Sequence, residues 1–326
     1  MKEEDIRPKL IFDEYLRLAA LDAVVYFRDV PHQALSCPAC GGLGDPAFQK
    51  HGFTYEECPN CQTIFVSPRP AAAQFFRYYT ESDSAQFFAT TFYRATANAR
   101  REKLWRPKAK LINEKLVALR SENHAIFDIG GGYGIFAEEY ERLANRPVTV
   151  IEPGPKLASI CREKGLEVLE SFLEQLESQQ LPAGPKAFVS FELFEHLHDA
   201  RFFLKSLMNL MSPGDLFMFT TLSSSGTDIR ALWDNSKSFS LQHLNFFNPT
   251  SIRLLIEEIG LKVLSVETPG QLDIDIISNT SSDLIKDRFW RNFIQQTTDS
   301  ERHIWQKFLA ERGFSSHMFV VCGRIE

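Results

Sequence analysis

Ala125-Ile126-Phe127-Asp128-Ile129-Gly130-Gly131-Gly132-Tyr133-Gly134, running on into Ile135-Phe136-Ala137-Glu138-Glu139-Tyr140, decides the fold of this 326-residue chain. It reads as a buried strand, a glycine-rich turn and the start of a helix. Glycines let the turn take positive φ and let a ligand approach the backbone, while the helix N-terminus offers unpaired N–H groups. A dinucleotide fingerprint needs glycines spaced G-x-G-x-x-G, but here they fall at 130, 132 and 134, and Ile135 stands where the third would be. A pyrophosphate cradle is therefore not the reading. Asp128, just before the glycines, suits a cationic ligand. Glu152 closes the next strand, Pro147 to Ile151, where a carboxylate can accept hydrogen bonds from both hydroxyls of a ribose.

Outward from this stretch the pattern alternates strand and helix. Strands are expected at 125–129, 147–151, 166–169, 186–191 and 214–220, and helices near 134–144, 155–164, 171–179 and 199–211. That alternation predicts an α/β fold with a doubly wound, Rossmann-like parallel sheet. Beyond it a loop-rich stretch reaches Asn248, followed by a helix from Pro249 to Ile259, a strand from Leu261 to Glu267, a polar helical segment around 280–312 and a last strand from His317 to Arg324. The expected organisation is an N-terminal helix in 1–30, a metal ribbon in 31–70, a helical linker or lid in 71–120 and the α/β domain in 121–326. Insertions at 223–248 and 268–316 are expected to cover the acceptor.

The ribbon rests on Cys37-Pro38-Ala39-Cys40 and Cys58-Pro59-Asn60-Cys61, a C-x2-C-x17-C-x2-C spacing. Two residues between thiolates let one tight knuckle present both sulfurs to a tetrahedral ion, so Zn2+ is the expected metal with all four cysteines as ligands. His51 is read as a spacer residue. About 40 residues do not build a stable core without such a staple. From Pro31 to Pro70 there are two basic residues, Lys50 and Arg69, against three acidic ones, Asp45, Glu56 and Glu57, which argues against a nucleic-acid partner. The stretch Arg94 to Lys110 is different, with seven basic residues and one acid. It reads either as a solvated helix face or as a phosphate-recognising patch.

The net charge of −6 does not favour general polyanion binding. The N-terminus has no signal-peptide pattern, and no uncharged stretch approaches the roughly 20 residues of a membrane span. Cysteines in metal spacing fit a reducing compartment, so a soluble, cytoplasmic protein is expected.

After the fourth strand, Phe191-Glu192-Leu193-Phe194-Glu195-His196-Leu197 leaves the sheet at its carboxyl edge, where open α/β sheets bind ligands. With Asp128, the glycines and Glu152, the Glu-His-Leu sequence and the Ser212-Pro213-Gly214 turn resemble the class I S-adenosylmethionine methyltransferases. The resemblance implies S-adenosylmethionine as cofactor. Asp128, Gly130, Gly132 and Gly134 would face its methionine part, Glu152 its ribose and Glu192 the wall near its sulfonium, and Glu170 or Ser171 would lie near adenine. The four-cysteine ribbon ahead of this domain further resembles a bacterial branch associated with surface-polysaccharide and sugar biosynthesis, in which a Glu-His pair acts near the acceptor. Here Gln242 precedes His243 where that pattern has glutamate. O-Methylation of a sugar hydroxyl, on a free saccharide or a nucleotide-linked sugar, is therefore the expected reaction, with His243 or His196 as base and Glu195 beside it. His317 is a third candidate. Asp273 and Asp275, read as alternating on an extended segment, would orient sugar hydroxyls or stand as exposed loop acids. Two other readings are an RNA or protein methyltransferase that docks its substrate through the ribbon, and a cofactor-binding scaffold without turnover.

Overall fold

In a computed structural model whose described residues are 2–325, a seven-stranded sheet forms around the glycine turn. Its strands in chain order are β1 (Ala125–Ile129), β2 (Val148–Ile151), β3 (Glu167–Leu169), β4 (Lys186–Phe191), β5 (Leu216–Leu222), β6 (Lys262–Glu267) and β7 (His317–Gly323). Across the sheet they lie in the order β6-β7-β5-β4-β1-β2-β3. Strands β3, β2, β1, β4 and β5 pair in parallel, with Asp128 opposite Val150 on one side and Val189 on the other. Central strands of a parallel sheet are covered on both faces, and accordingly every residue of β4 and all but the first of β1 are buried. Ile126, Val148, Val150, Val189, Met218 and Phe319 share one core with Phe136 and Tyr140 of the helix Ile135–Ala144.

The chain divides into two units. The sheet unit comprises residues 99–221, 253–266 and those from 319 onward; the ribbon unit comprises those up to 98, 222–252 and 267–318. In the ribbon unit, strands Asp45–Lys50, Phe53–Glu57 and Ile64–Val66 form an antiparallel sheet whose fourth strand, Asn245–Phe246, comes from about 180 residues further along the chain. Phe53, Tyr55, Ile64 and Val66 pack with Phe239, Leu241, Leu244 and Phe246, so the two segments share one core. The helix Lys9–Phe27 adds Ala23, Tyr26 and Phe27 to that core, in line with its expected range.

Three local expectations need correction. The helix expected at 171–179 is two 3-10 turns, Leu173–Gln175 and Ser178–Gln180. Leu173 and Leu176 are both buried and three residues apart, a spacing that a three-residue turn satisfies without a longer apolar stripe. The stretch expected to be loop-rich holds a helix, Thr227–Leu232, whose Ala231 and Leu232 pack on Ile276 and Ile277. Asp273 and Asp275 are not on an extended segment but open the helix Asp273–Ser278. Asp273 is fully buried and accepts from Gln306 Nε2, Ser315 Oγ and the Ser316 N–H, while Asp275 accepts from the Glu3 N–H. These contacts make Asp273 a structural carboxylate.

Candidate cofactor and acceptor sites

In the sheet unit, β1 delivers Asp128 to the carboxyl edge and the chain then turns through Gly130, Gly132 and Gly134, with φ of 68°, 57° and 67°. A side chain at Gly134 would strike Leu166 and Cys161, whereas one at Gly132 would meet no protein atom within 4 Å. The glycine at 134 therefore serves helix packing, and the one at 132 leaves open space above the turn. Glu152, at the end of β2, accepts the Gly132 N–H at 2.9 Å and the Gly154 N–H at 2.8 Å, one on each oxygen. A carboxylate has about four lone-pair positions, so both oxygens keep capacity for further donors.

Asp128 is the unusual member. It is 2% exposed, and its Oδ2 is buried with no hydrogen-bond partner. Burial, and secondarily the charge of Glu152, push its carboxyl up to about 7. A buried carboxylate oxygen without a donor is costly unless a ligand supplies one. The cationic methionine portion of S-adenosylmethionine is such a ligand, so these residues fit the cofactor implied by the motif.

At the end of β4, Glu192 takes a left-handed backbone, φ 52°, a conformation rare for a non-glycine residue and often found at functional sites. Its Oε1 accepts from Lys108 Nζ at 2.7 Å and from Thr220 Oγ1 at 2.8 Å. Glu195, 1% exposed, accepts from Thr221 Oγ1 at 2.9 Å, and burial followed by the neighbouring Glu192 charge pushes it up to about 8. His196 ends the 3-10 turn Phe194–His196 in the same unit. Glu170 lies just past β3 and pairs with Arg162 at 2.6 Å, with Ser171 following it.

Much of the basic stretch is engaged by acids. Arg101 bridges Glu138 and Glu139, Arg106 pairs with Glu139 and Glu102, and Lys110 faces Glu114. These pairs favour the helix-face reading over a phosphate patch. Lys108 was not singled out by sequence from its basic neighbours, because its partner lies 84 residues away.

In the ribbon unit, Cys37, Cys40, Cys58 and Cys61 bring their sulfurs within 4.8 Å of one another, with Cys37–Cys61 and Cys40–Cys58 at 3.5 Å. Four thiolates about 2.3 Å from a tetrahedral ion would sit close to these separations, so the donor set fits Zn2+. His51 occupies the hairpin turn and is not one of the clustered ligands. The knuckle also holds distant chain. Asn248 Nδ2 donates to the Cys61 carbonyl at 2.7 Å, and Ser224 Oγ to that of Gln62 at 2.9 Å. The Tyr55 hydroxyl reaches the carbonyls of Ser240 and His243, at 3.1 and 3.2 Å. Gln242 Nε2 donates to the Tyr78 hydroxyl at 3.0 Å. His243 Nδ1 lies 2.6 Å from the Ser238 carbonyl, so in the neutral ring Nδ1 carries the proton and Nε2 is the basic nitrogen. His317 begins β7.

A seven-stranded sheet of this order, parallel over β3, β2, β1, β4 and β5, with a glycine turn after β1 and acids at the ends of β1, β2 and β4, has the fold of S-adenosylmethionine-dependent methyltransferases. A family described as "Methyltransferase domain" matches residues 98–266, more than half of the chain, and the chain belongs to that family. Over 104 residues it is 32% identical to the mitochondrial ubiquinone biosynthesis O-methyltransferase of Schizosaccharomyces pombe. That match covers 30% of this chain and 38% of the relative's length. Among solved structures, the plantazolicin methyltransferase BpumL, in complex with a monoazolic desmethylPZN analog and SAH, superposes with a TM-score of 0.50 at 10% identity. The superposition covers 77% of this chain and 94% of that one, and it supports the shared fold. Among the described residues no helix is long and apolar enough to cross a membrane.

Proposed function

We propose that the protein transfers the methyl group of S-adenosylmethionine to a hydroxyl of a small polar acceptor, a saccharide or nucleotide-linked sugar. The observation that carries the cofactor half of this reading is the buried, unpartnered Oδ2 of Asp128, which lies against Gly131 in the same turn that leaves open space at Gly132. Asp128 would take the cofactor's ammonium, Glu152 its ribose hydroxyls, and Glu192 would stand beside the sulfonium. Glu170 would lie toward adenine. Bound there, the cofactor supplies an electrophilic methyl group on a sulfonium.

The remaining work falls to the chain's own side chains. His243, with its tautomer set by Ser238, is the base we favour, accepting the acceptor's hydroxyl proton at Nε2. His196 is the second candidate. Glu195, its carboxyl pushed up by burial and by the neighbouring Glu192 charge, is the third candidate, beside His196 in the chain. The ribbon, with Zn2+ on its four cysteines, is assigned the task of holding 238–248 in shape. The relative's O-methyl chemistry supports an oxygen acceptor. The paired arginines and the acidic ribbon lower support for RNA.

The test is S-adenosylhomocysteine release against nucleotide sugars, free saccharides, small phenols and RNA, with zinc quantified on the same sample. Turnover on a sugar supports the reading. Turnover on phenols or RNA alone replaces the acceptor, and cofactor binding without turnover on any of them favours the scaffold reading.

A further inference from the structure

Lys108 sits in a position that the reaction as derived above does not use. Its Nζ lies 2.7 Å from Glu192 Oε1, 4.9 Å from the ring centre of Trp105 and 5.2 Å from that of Phe191, and its side chain is only 11% exposed. A carboxylate and aromatic faces around one positive charge are the surroundings that also recognise quaternary ammonium and related onium cations. The π-helical turn Arg101–Trp105 ends three residues before it, and Trp105 and Lys108 fall on one helix face. The Trp105 indole N–H is itself buried with no acceptor. The charge of Lys108 also acts on Asp128 and Glu195, so a single ammonium serves a set of acids clustered at the sheet edge.

We propose that Lys108 is a built-in counter-ion that holds Glu192 while the cofactor is absent, yields it to the sulfonium of S-adenosylmethionine, and recovers it once transfer has removed that charge. The inference rests on the reading of Glu192 as the wall beside the sulfonium. In the transfer, the S–CH3 bond breaks with its electron pair remaining on sulfur, the acceptor oxygen forms the new O–CH3 bond, and the hydroxyl proton passes to the base. Sulfur thereby becomes a neutral thioether. Two cations beside one carboxylate repel, so Lys108 must draw back when the sulfonium is present, which its flexible four-carbon stem allows. Beside the thioether there is no such repulsion. Lys108 therefore narrows the preference for substrate cofactor over spent cofactor and favours exchange.

Titration calorimetry of S-adenosylmethionine and S-adenosylhomocysteine on the full chain tests this. Lys108→Met should raise the ratio of the two affinities in favour of S-adenosylmethionine by about tenfold, the scale for removing one like charge from a partly buried site. Lys108→Arg, which keeps the charge, should leave the ratio near that of the unaltered protein. Lys108→Gln serves as a second neutral variant if the methionine variant is poorly folded by circular dichroism. An unchanged ratio in the neutral variants overturns the proposal, as does equal weakening of both ligands, which would put Lys108 on a group they share. Asp128→Asn in the same series separates the underlying reading: if it leaves both affinities unchanged, the cofactor site itself is misassigned and the proposal falls with it.

Discussion

The sheet edge and the ribbon unit reach order by opposite routes. At the sheet edge, Asp128, the glycines and Glu152 lie within about 25 residues of one another, and the β1–turn–helix geometry alone brings them together. In the ribbon unit, His243 is shaped by Tyr55, nearly 190 residues earlier, through a small sheet whose knuckles carry the four cysteines. A site built from one local turn is held by backbone preference; a site built from distant segments is held by whatever staples them. Metal loss and cofactor-site lesions should therefore produce separable defects.

The largest effect is expected from the staple. Cys58→Ser, or removal of Zn2+ by a strong chelator, should unfold the ribbon and abolish turnover, since structural zinc contributes on the order of 10 kcal/mol in isolated zinc-finger peptides. Affinity for S-adenosylhomocysteine should survive within a few-fold, because every residue assigned to the cofactor belongs to the sheet unit. Calorimetry and thermal melting on one sample check both halves. Equal loss of cofactor binding would show that the sheet edge depends on the ribbon's metal after all.

Next comes His243→Ala, expected to lower kcat by about 100- to 10,000-fold, the range for removing a positioned general base. Cofactor affinity should not move. Unaltered turnover would transfer the role of base to His196, and His196→Ala in the same assay decides between them.

What the sequence disclosed follows the same division. Strands β1, β2, β4 and β5 were legible because their apolar runs give way to polar residues at Asp128, Glu152, Glu192 and the residues after Thr221. The cysteine spacing was legible because two-residue knuckles have one common use. The pairing of Asn245–Phe246 with Ile64–Val66 was not, since a two-residue strand carries no periodicity and its partner is remote. Nor was the burial of Asp273, whose donors Gln306, Ser315 and Ser316 arrive more than 30 residues later. Acids and bases with distant partners are the residues that sequence reading misplaces, because charge alone does not say whether a carboxylate faces water or a buried donor.

Asp128→Asn should weaken S-adenosylmethionine binding by about 100-fold, the equivalent of about 2–3 kcal/mol for one charged hydrogen bond in a buried site. In the unaltered protein, affinity should fall by about tenfold per pH unit as pH drops below about 7, because a cationic ligand needs the ionised carboxylate and the carboxyl is held up to about 7. Above that value the profile should flatten. An affinity that stays flat between pH 5 and 8 would remove Asp128 from the ammonium contact.

The smallest effect concerns stability, and it runs against binding. Burial holds the Asp128 carboxyl up to about 7 in the folded protein, well above the ordinary aspartate value near 3.8, so between those values the folded protein holds a proton that the unfolded chain has released. Stability from this group is therefore present at low pH and lost as pH rises toward 7. Asp128→Asn removes that penalty and should stabilise the cofactor-free protein at pH 8 by an increment on the order of 1–2 kcal/mol, seen as a raised melting temperature. The gain should shrink toward pH 4, where the acid is protonated, and a saturating concentration of S-adenosylmethionine at pH 8 should reverse the order of the two proteins, since only the ionised aspartate gains from the ligand. A melting temperature lowered by the substitution at every pH would show that Asp128 stabilises the turn it leads into, and that the unpartnered oxygen is not a reserve held for a cation.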